Sequence, residues 1–161
     1  MTFKNERRKT VKAVHRELIL FDVDAENAED AIRQIGAPLL EHGYVRDTFI
    51  DAVIQREKEY PTGLQLRTMG VAMPHTFGVH VIAPAVCVAK LAHPVEFRHM
   101  GEGDVRVSAE ILFMMAISDP KKQLETLSNM MGVFVNDEAM IEFANARGTQ
   151  ELFEAARRYI G

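Results

Sequence analysis

The sequence predicts a single-domain α/β sandwich with a mixed central β-sheet flanked by helices on both faces. Three observations lead there. The chain has 161 residues, a length that suits one domain around one core. Amphipathic helical stretches alternate with short apolar runs of strand character along it. The run Ala109–Ile117 is almost continuously apolar, as a central strand covered on both faces must be.

The first strand is expected at Leu18–Val23. Asn27 then suits the N-cap of a helix reaching about Glu41, because Ala28, Ala31, Ile32, Ile35 and Leu39 recur at helical spacing. Pro38 falls inside that helix and should kink or divide it. A second helix spans about Asp47–Glu59, with Phe49, Ile50, Val53 and Ile54 on one face, and stops at Pro61-Thr62-Gly63. Gly70–Met73 is a short apolar segment that ends on Pro74-His75. Ala85–Leu91 reads as a strand buried on both sides, which Val95-Glu96-Phe97 extends or pairs with. A polar loop, Met100–Asp104, precedes the central run Ala109–Ile117. Pro120 opens a helix, where its missing N–H is not needed. Two shorter helices follow, at about Asp137–Ala146 and Thr149–Ile160. The domain thus occupies 18–161, after a basic segment at 1–17.

Composition narrows the function. Apolar residues make up 47% and charged residues 26%, so an ordinary core can form without a metal or disulfide staple. The net charge of −4 argues against nucleic acid as a main partner. The basic cluster Lys4, Arg7, Arg8, Lys9 and Lys12 suits either a solvated terminus or a grip on an anionic surface. The polar, charged N-terminus has no signal-peptide pattern, and no apolar stretch approaches the ~20 residues of a membrane helix, so a cytoplasmic protein is expected. Cys87, the single cysteine, lies in an apolar run and reads as a buried, inert thiol. No Walker-type loop, dinucleotide fingerprint or nucleophile elbow is present. The six histidines show no metal-ligand spacing, so no metal is expected.

His75 differs from the other histidines in context. The apolar segment before it should set it at a strand end, on a ledge stiffened by Pro74 and open to solvent. From context alone it fits either an idle turn histidine or a transfer centre. Neutral imidazole is a good nucleophile near physiological pH, and a phosphoryl group on its nitrogen is labile enough to pass on. Such a group needs cationic or hydrogen-bonding support. Arg56 at the end of the second helix offers a fork of donors, or is a solvated helix-end arginine. Thr62 and Gly63 suit a hydroxyl and N–H donor pair, or a plain turn, and Thr76 is a further candidate donor. Phe77, Val79 and Met73 are candidates for the apolar part of a docking surface, unless they pack inward.

Three segments come in a telling order: Arg56-Glu57, Pro61-Thr62-Gly63 and Gly70-Val71-Ala72-Met73-Pro74-His75. This set resembles the enzyme IIA domain of the mannitol/fructose family of the bacterial phosphoenolpyruvate-dependent sugar phosphotransferase system. The resemblance continues through Ala85–Leu91, Pro94–Phe97 and the strand before Pro120, over about residues 18–160. It implies an α/β sandwich with no cofactor. It implies that His75 accepts a phosphoryl group from the phosphocarrier protein HPr, with Arg56 holding that group. A cysteine of enzyme IIB would then receive it and serve sugar uptake through the membrane component IIC. Many members place a second histidine where Gln123 stands here; a glutamine amide can donate a hydrogen bond but cannot shuttle a proton. The galactitol-type branch resembles this chain in that glutamine, which favours a polyol such as galactitol. A regulatory IIA-like phosphoprotein and a non-catalytic interaction domain on the same scaffold are the alternatives.

Overall fold

The computed structural model describes residues 13–161, so the basic cluster at Lys4–Lys12 lies outside the described residues. The order is β1 (Val14–Val23), α1 (Ala28–Glu41), α2 (Phe49–Glu59), β2 (Gly63–Gln65), β3 (Gly70–Ala72), a 3-10 turn (Gly78–His80), β4 (Ala85–Arg98), β5 (Arg106–Ala116), α3 (Pro120–Phe134), α4 (Asp137–Asn145) and α5 (Thr149–Tyr159). The strands form one sheet in the order β1-β4-β5-β3-β2. β1 runs parallel to β4, and β3 parallel to β5. The β4–β5 and β2–β3 pairs are antiparallel. The sheet is therefore mixed, with β5 at its centre.

Alternation along the central strands explains their continuous apolarity. Cys87, Ala89, Leu112 and Met114 face α1 and α2, where they meet Ile32, Ile35, Leu39, Phe49 and Val53. Val86, Val88, Ile111, Phe113 and Met115 face α3, α4 and α5, where they meet Met130, Phe134, Met140, Phe143 and Leu152. Both faces are covered, so no position on these strands needs a polar side chain. The Phe113 ring packs near edge-on against Phe143, with centroids 5.5 Å apart. Cys87 is fully buried, and desolvation pushes its thiol up to about 12, which leaves it inert at neutral pH.

The helix boundaries follow their caps. Asn27 accepts from the Asp30 N–H, Asp119 from Lys121 and Asn136 from Ala139. Pro38 does not divide α1, which runs unbroken from Ala28 to Glu41. β1 begins at Val14 and not at Leu18, so the expected division after residue 17 falls inside this strand. The reason is tertiary: pairing of Val14 with Val86 in β4 recruits the polar residues 15–17, which carry no strand pattern of their own. Val95–Phe97 extends the strand begun at Ala85, with a register shift between Lys90 and Val95. That irregularity accommodates Pro94, which cannot donate to a ladder. β2 was legible only as the turn Thr62-Gly63, because three residues paired to β3 hold no periodicity to read.

Close backbone approach positions β3. A Cβ on Gly70 would sit 2.2 Å from the Ser108 carbonyl oxygen of β5. Gly70→Ala should therefore lower the free energy of unfolding by about 1–3 kcal/mol, read from urea denaturation midpoints at unchanged slope.

Candidate functional site

His75 stands just past the end of β3, where the sheet hands the chain to a loop. The register is kept through Pro74, whose carbonyl accepts the Met115 N–H of β5 at 3.1 Å. The ledge expected from the sequence is present, but His75 is not open on it: only 8% of the residue is exposed. It lies in the wall of an open cleft of about 470 Å³, shared with Arg56, Glu59, Tyr60, Pro61, Thr62, Met100, Gly103 and Leu127. Sequence context could show the stiff approach through Pro74 but not the walls, which come from α2, α3 and the loop after β4.

Nδ1 of His75 lies 2.7 Å from the Met73 carbonyl oxygen. A carbonyl only accepts, so in the neutral ring Nδ1 carries the hydrogen and donates it. Nε2 keeps a free lone pair and has no hydrogen-bond partner among the described residues. Burial, and then the Arg56 charge, hold the imidazole below its ordinary value of 6.5, although the Met73 carbonyl opposes them. The ring is therefore neutral and nucleophilic at pH 7.

Arg56 reaches the same cleft from the last turn of α2. Its guanidinium carbon lies 4.8 Å from the Phe77 ring centroid and 5.1 Å from that of Tyr60. Its Nε is buried without a hydrogen-bond partner among the described residues. A buried cationic donor with no acceptor, beside a free imidazole nitrogen, suits an anionic group that comes and goes.

The other expected site residues serve different ends. The Thr62 hydroxyl donates to Glu57 Oε1 at 2.8 Å and accepts the Met73 N–H at 3.1 Å. Its backbone N–H donates to Glu57 Oε2 at 2.8 Å. Thr62 thus spends these donors on Glu57 and holds the frame of the site. Gly63 is a close-approach residue, since a Cβ there would lie 2.6 Å from the Arg98 carbonyl oxygen. Thr76 is buried and lines the neighbouring cleft on the far side of Arg56, with Phe77 and His80. Gln123 Nε2 donates to the Thr76 carbonyl at 3.1 Å, so its hydrogen bond reaches the residue after His75 and not the imidazole. It ties the start of α3 to the loop after His75. Of the docking candidates, Phe77 and Val79 are 64% and 72% exposed, whereas Met73 is fully buried among the β-sheet residues facing α3–α5.

Glu57 is the residue that sequence reasoning missed. It stood there only within the Arg56-Glu57 pair of the resemblance, with no role assigned to it. It is 9% exposed, and desolvation pushes its carboxyl up to about 7 against the opposing pull of Thr62 and Arg56. The sign of that shift matters. A carboxyl whose folded value lies above its ordinary 4.5 contributes stability at low pH and loses it as pH rises towards 7. The Arg56-Glu57 pair belongs to the set that carries the family resemblance, but nothing in residue type or spacing assigns the glutamate a role of its own.

Among the described residues no three His, Cys, Asp or Glu side chains converge as metal ligands, and no helix is long and apolar enough to cross a membrane. Over residues 12–158 the chain matches the family described as "Phosphoenolpyruvate-dependent sugar phosphotransferase system, EIIA 2". It is 29% identical over 103 residues to the galactitol-specific EIIA component of Escherichia coli strain K12, covering 64% of this chain and 68% of that one. A probable licABCH operon regulator of Bacillus subtilis is 25% identical over 149 residues, 92% of this chain but 22% of the regulator. The mannitol enzyme IIA of Escherichia coli, solved in complex with phosphorylated mannitol enzyme IIB, shares the fold with a TM-score of 0.72 at 21% identity, covering 90% of this chain and 97% of that one. The chain is therefore a member of the EIIA 2 family of the phosphoenolpyruvate-dependent sugar phosphotransferase system, phosphotransferases that work through a phosphohistidine intermediate.

Proposed function

We propose that His75 is the phosphoryl carrier of this protein, charged by phospho-HPr and discharged onto a cysteine of an enzyme IIB. The observation that carries this reading is the pairing of a free Nε2 on a neutral, clamped imidazole with an unpartnered Arg56 donor in one cleft. The Nε2 lone pair attacks phosphorus in line, and the bond from phosphorus to its carrier atom on HPr breaks. The attack leaves positive charge on the ring. The Met73 carbonyl, which already accepts the Nδ1 hydrogen, stabilises that charge, while Arg56 holds the phosphoryl oxygens. In the second step a thiolate sulfur of IIB attacks, the P–Nε2 bond breaks, and its electron pair returns to the ring. Neither step moves a proton to or from His75. A second histidine is therefore dispensable, and Gln123 suffices as an anchor for the loop.

Exposed Tyr60 lines this cleft and exposed Phe77 the neighbouring one, and they suit a transient contact shared by two successive partners. The IIB-bound mannitol relative supports an enzyme IIB as one of them. A polyol of the galactitol type is the favoured cargo of the system, supported by Gln123 and by the galactitol-specific relative. A regulatory role for the same phosphohistidine is the second reading, supported by the match to the operon regulator over 92% of this chain.

Incubation with phosphoenolpyruvate, enzyme I and HPr should add one acid-labile phosphoryl mass to the protein, and His75→Ala should abolish it. An adduct that survives in His75→Ala would assign the carrier to another residue. Arg56→Ala should slow both charging and discharge on the order of 10²-fold while leaving HPr docking intact, as read from single-turnover rates against HPr concentration. Discharge onto a galactitol-type IIB, compared with a mannitol-type IIB, tests the cargo; equal rates on both would remove the preference.

A further inference from the structure

The carboxylate of Glu57 is one residue from Arg56 in sequence but takes no direct part in the chemistry. It is nevertheless the only buried acidic side chain among the described residues. Both its oxygens are used: Oε2 accepts the Thr62 N–H and Oε1 the Thr62 hydroxyl. With its hydrogen directed to Glu57, the Thr62 oxygen must offer a lone pair in the opposite direction, and the Met73 N–H takes it. The same Met73 residue supplies the carbonyl that receives the His75 Nδ1 hydrogen. Met73 is thus fixed at both of its backbone polar groups, once towards Glu57 and once towards His75.

We infer that Glu57 is a positioning residue for phosphoryl transfer: through Thr62 its carboxylate pins the Met73 backbone, and so holds the His75 ring with Nε2 turned to the cleft. The inference rests on His75 being the carrier. Two independent facts support it. The bonds form an unbroken path from the end of α2 through Thr62, just before β2, to Met73, just after β3. The charge is also held where burial opposes it, an arrangement more often kept for a working site than for stability. The arginine and glutamate at the end of α2 then divide the labour, the first facing the phosphoryl group and the second the frame.

Several charges surround Glu57. Arg56 adjoins it on its own helix, and Lys58 of that helix, Glu29 from α1, and Glu96 and Arg98 from β4 share a cleft of about 430 Å³ with it. His75 lies beyond Thr62. Protonation of Glu57 would free one oxygen from accepting and loosen the Thr62 hydroxyl, so the pin weakens as pH falls below about 7. Glutamine imitates that state, because its amide offers one acceptor in place of two.

The test compares wild type, Glu57→Gln, Thr62→Val, the double variant and the exposed control Glu29→Gln. Transfer from phospho-HPr is timed at several HPr concentrations and pH values, and the His75 ring nitrogens are read by NMR. Glu57→Gln and Thr62→Val should each lower the maximal rate about 10- to 100-fold at an unchanged half-saturating HPr concentration. The double variant should be no slower than either single one, since both break one path. Glu29→Gln should match wild type. The wild-type rate should approach that of Glu57→Gln as pH falls below about 7, and the variants should lose the dominant Nδ1–H tautomer of His75. Glu57→Gln should also melt no lower than wild type at pH 8. Wild-type rates and an unchanged tautomer in either single variant would overturn the inference, as would additive losses. If Glu57→Gln fails to fold, Thr62→Val carries the same comparison. A wild type that takes no phosphoryl group sinks the carrier reading instead, and the tautomer measurement still decides whether Glu57 positions the ring.

Discussion

The short hydrogen bond between His75 Nδ1 and the Met73 carbonyl is the constraint on which the site depends. It chooses the tautomer, and the tautomer chooses which nitrogen can act as a nucleophile. It also turns an ordinary liability into an asset. Burial and a neighbouring guanidinium disfavour a charged imidazole, which keeps the resting ring neutral. In the proposed transfer the ring gains positive charge, and a fixed carbonyl dipole is already aimed at the Nδ1 hydrogen. Electrostatic assistance that needs no reorganisation is the most effective kind.

That carbonyl is only as reliable as the backbone that carries it, and here the whole sheet contributes. β3 is three residues long, too short to be stable alone, yet it lies between β5 and β2 with every residue buried. Gly70 lets it approach β5 closely, and the Pro74 carbonyl carries the pairing one step past the last strand residue. The loop after His75 is held from the other side by Gln123 at the start of α3. A rigid histidine is thus built at the end of a short strand by neighbours on three sides. Just beyond it, Phe77 and Val79 stay exposed.

Much of this was legible from the chain. The alternation of helix and strand, the central place of Ala109–Ile117 and the ordered set Arg56, Thr62-Gly63 and Pro74-His75 all survive in the structure. The misreadings have a common origin. Val14–Glu17 and Gly63–Gln65 become strand through pairing partners far away in sequence, and local periodicity is silent about those. Thr62 read as an anion donor because a hydroxyl near a glycine turn often is one. Whether a hydroxyl is free depends on who else claims it, and Glu57 and Met73 both do. His75 read as exposed because its own segment says nothing about Leu127 or Met100, which line the same cleft from other parts of the fold.

By itself, the sequence determined the helices, most of the longer strands with their two-faced burial, and the ordered set Arg56-Glu57, Thr62-Gly63 and Pro74-His75 on which the family resemblance rests. These are properties of residue type and spacing, which act locally. Tertiary structure decided that His75 is buried, that Nε2 is its free nitrogen, that Gln123 anchors a loop and that the Glu57 carboxylate is buried against Thr62. Those are matters of hydrogen-bond partnership and desolvation. Each is settled only when segments distant along the chain, here α2, β2, β3 and α3, are brought within about 3 Å of one another.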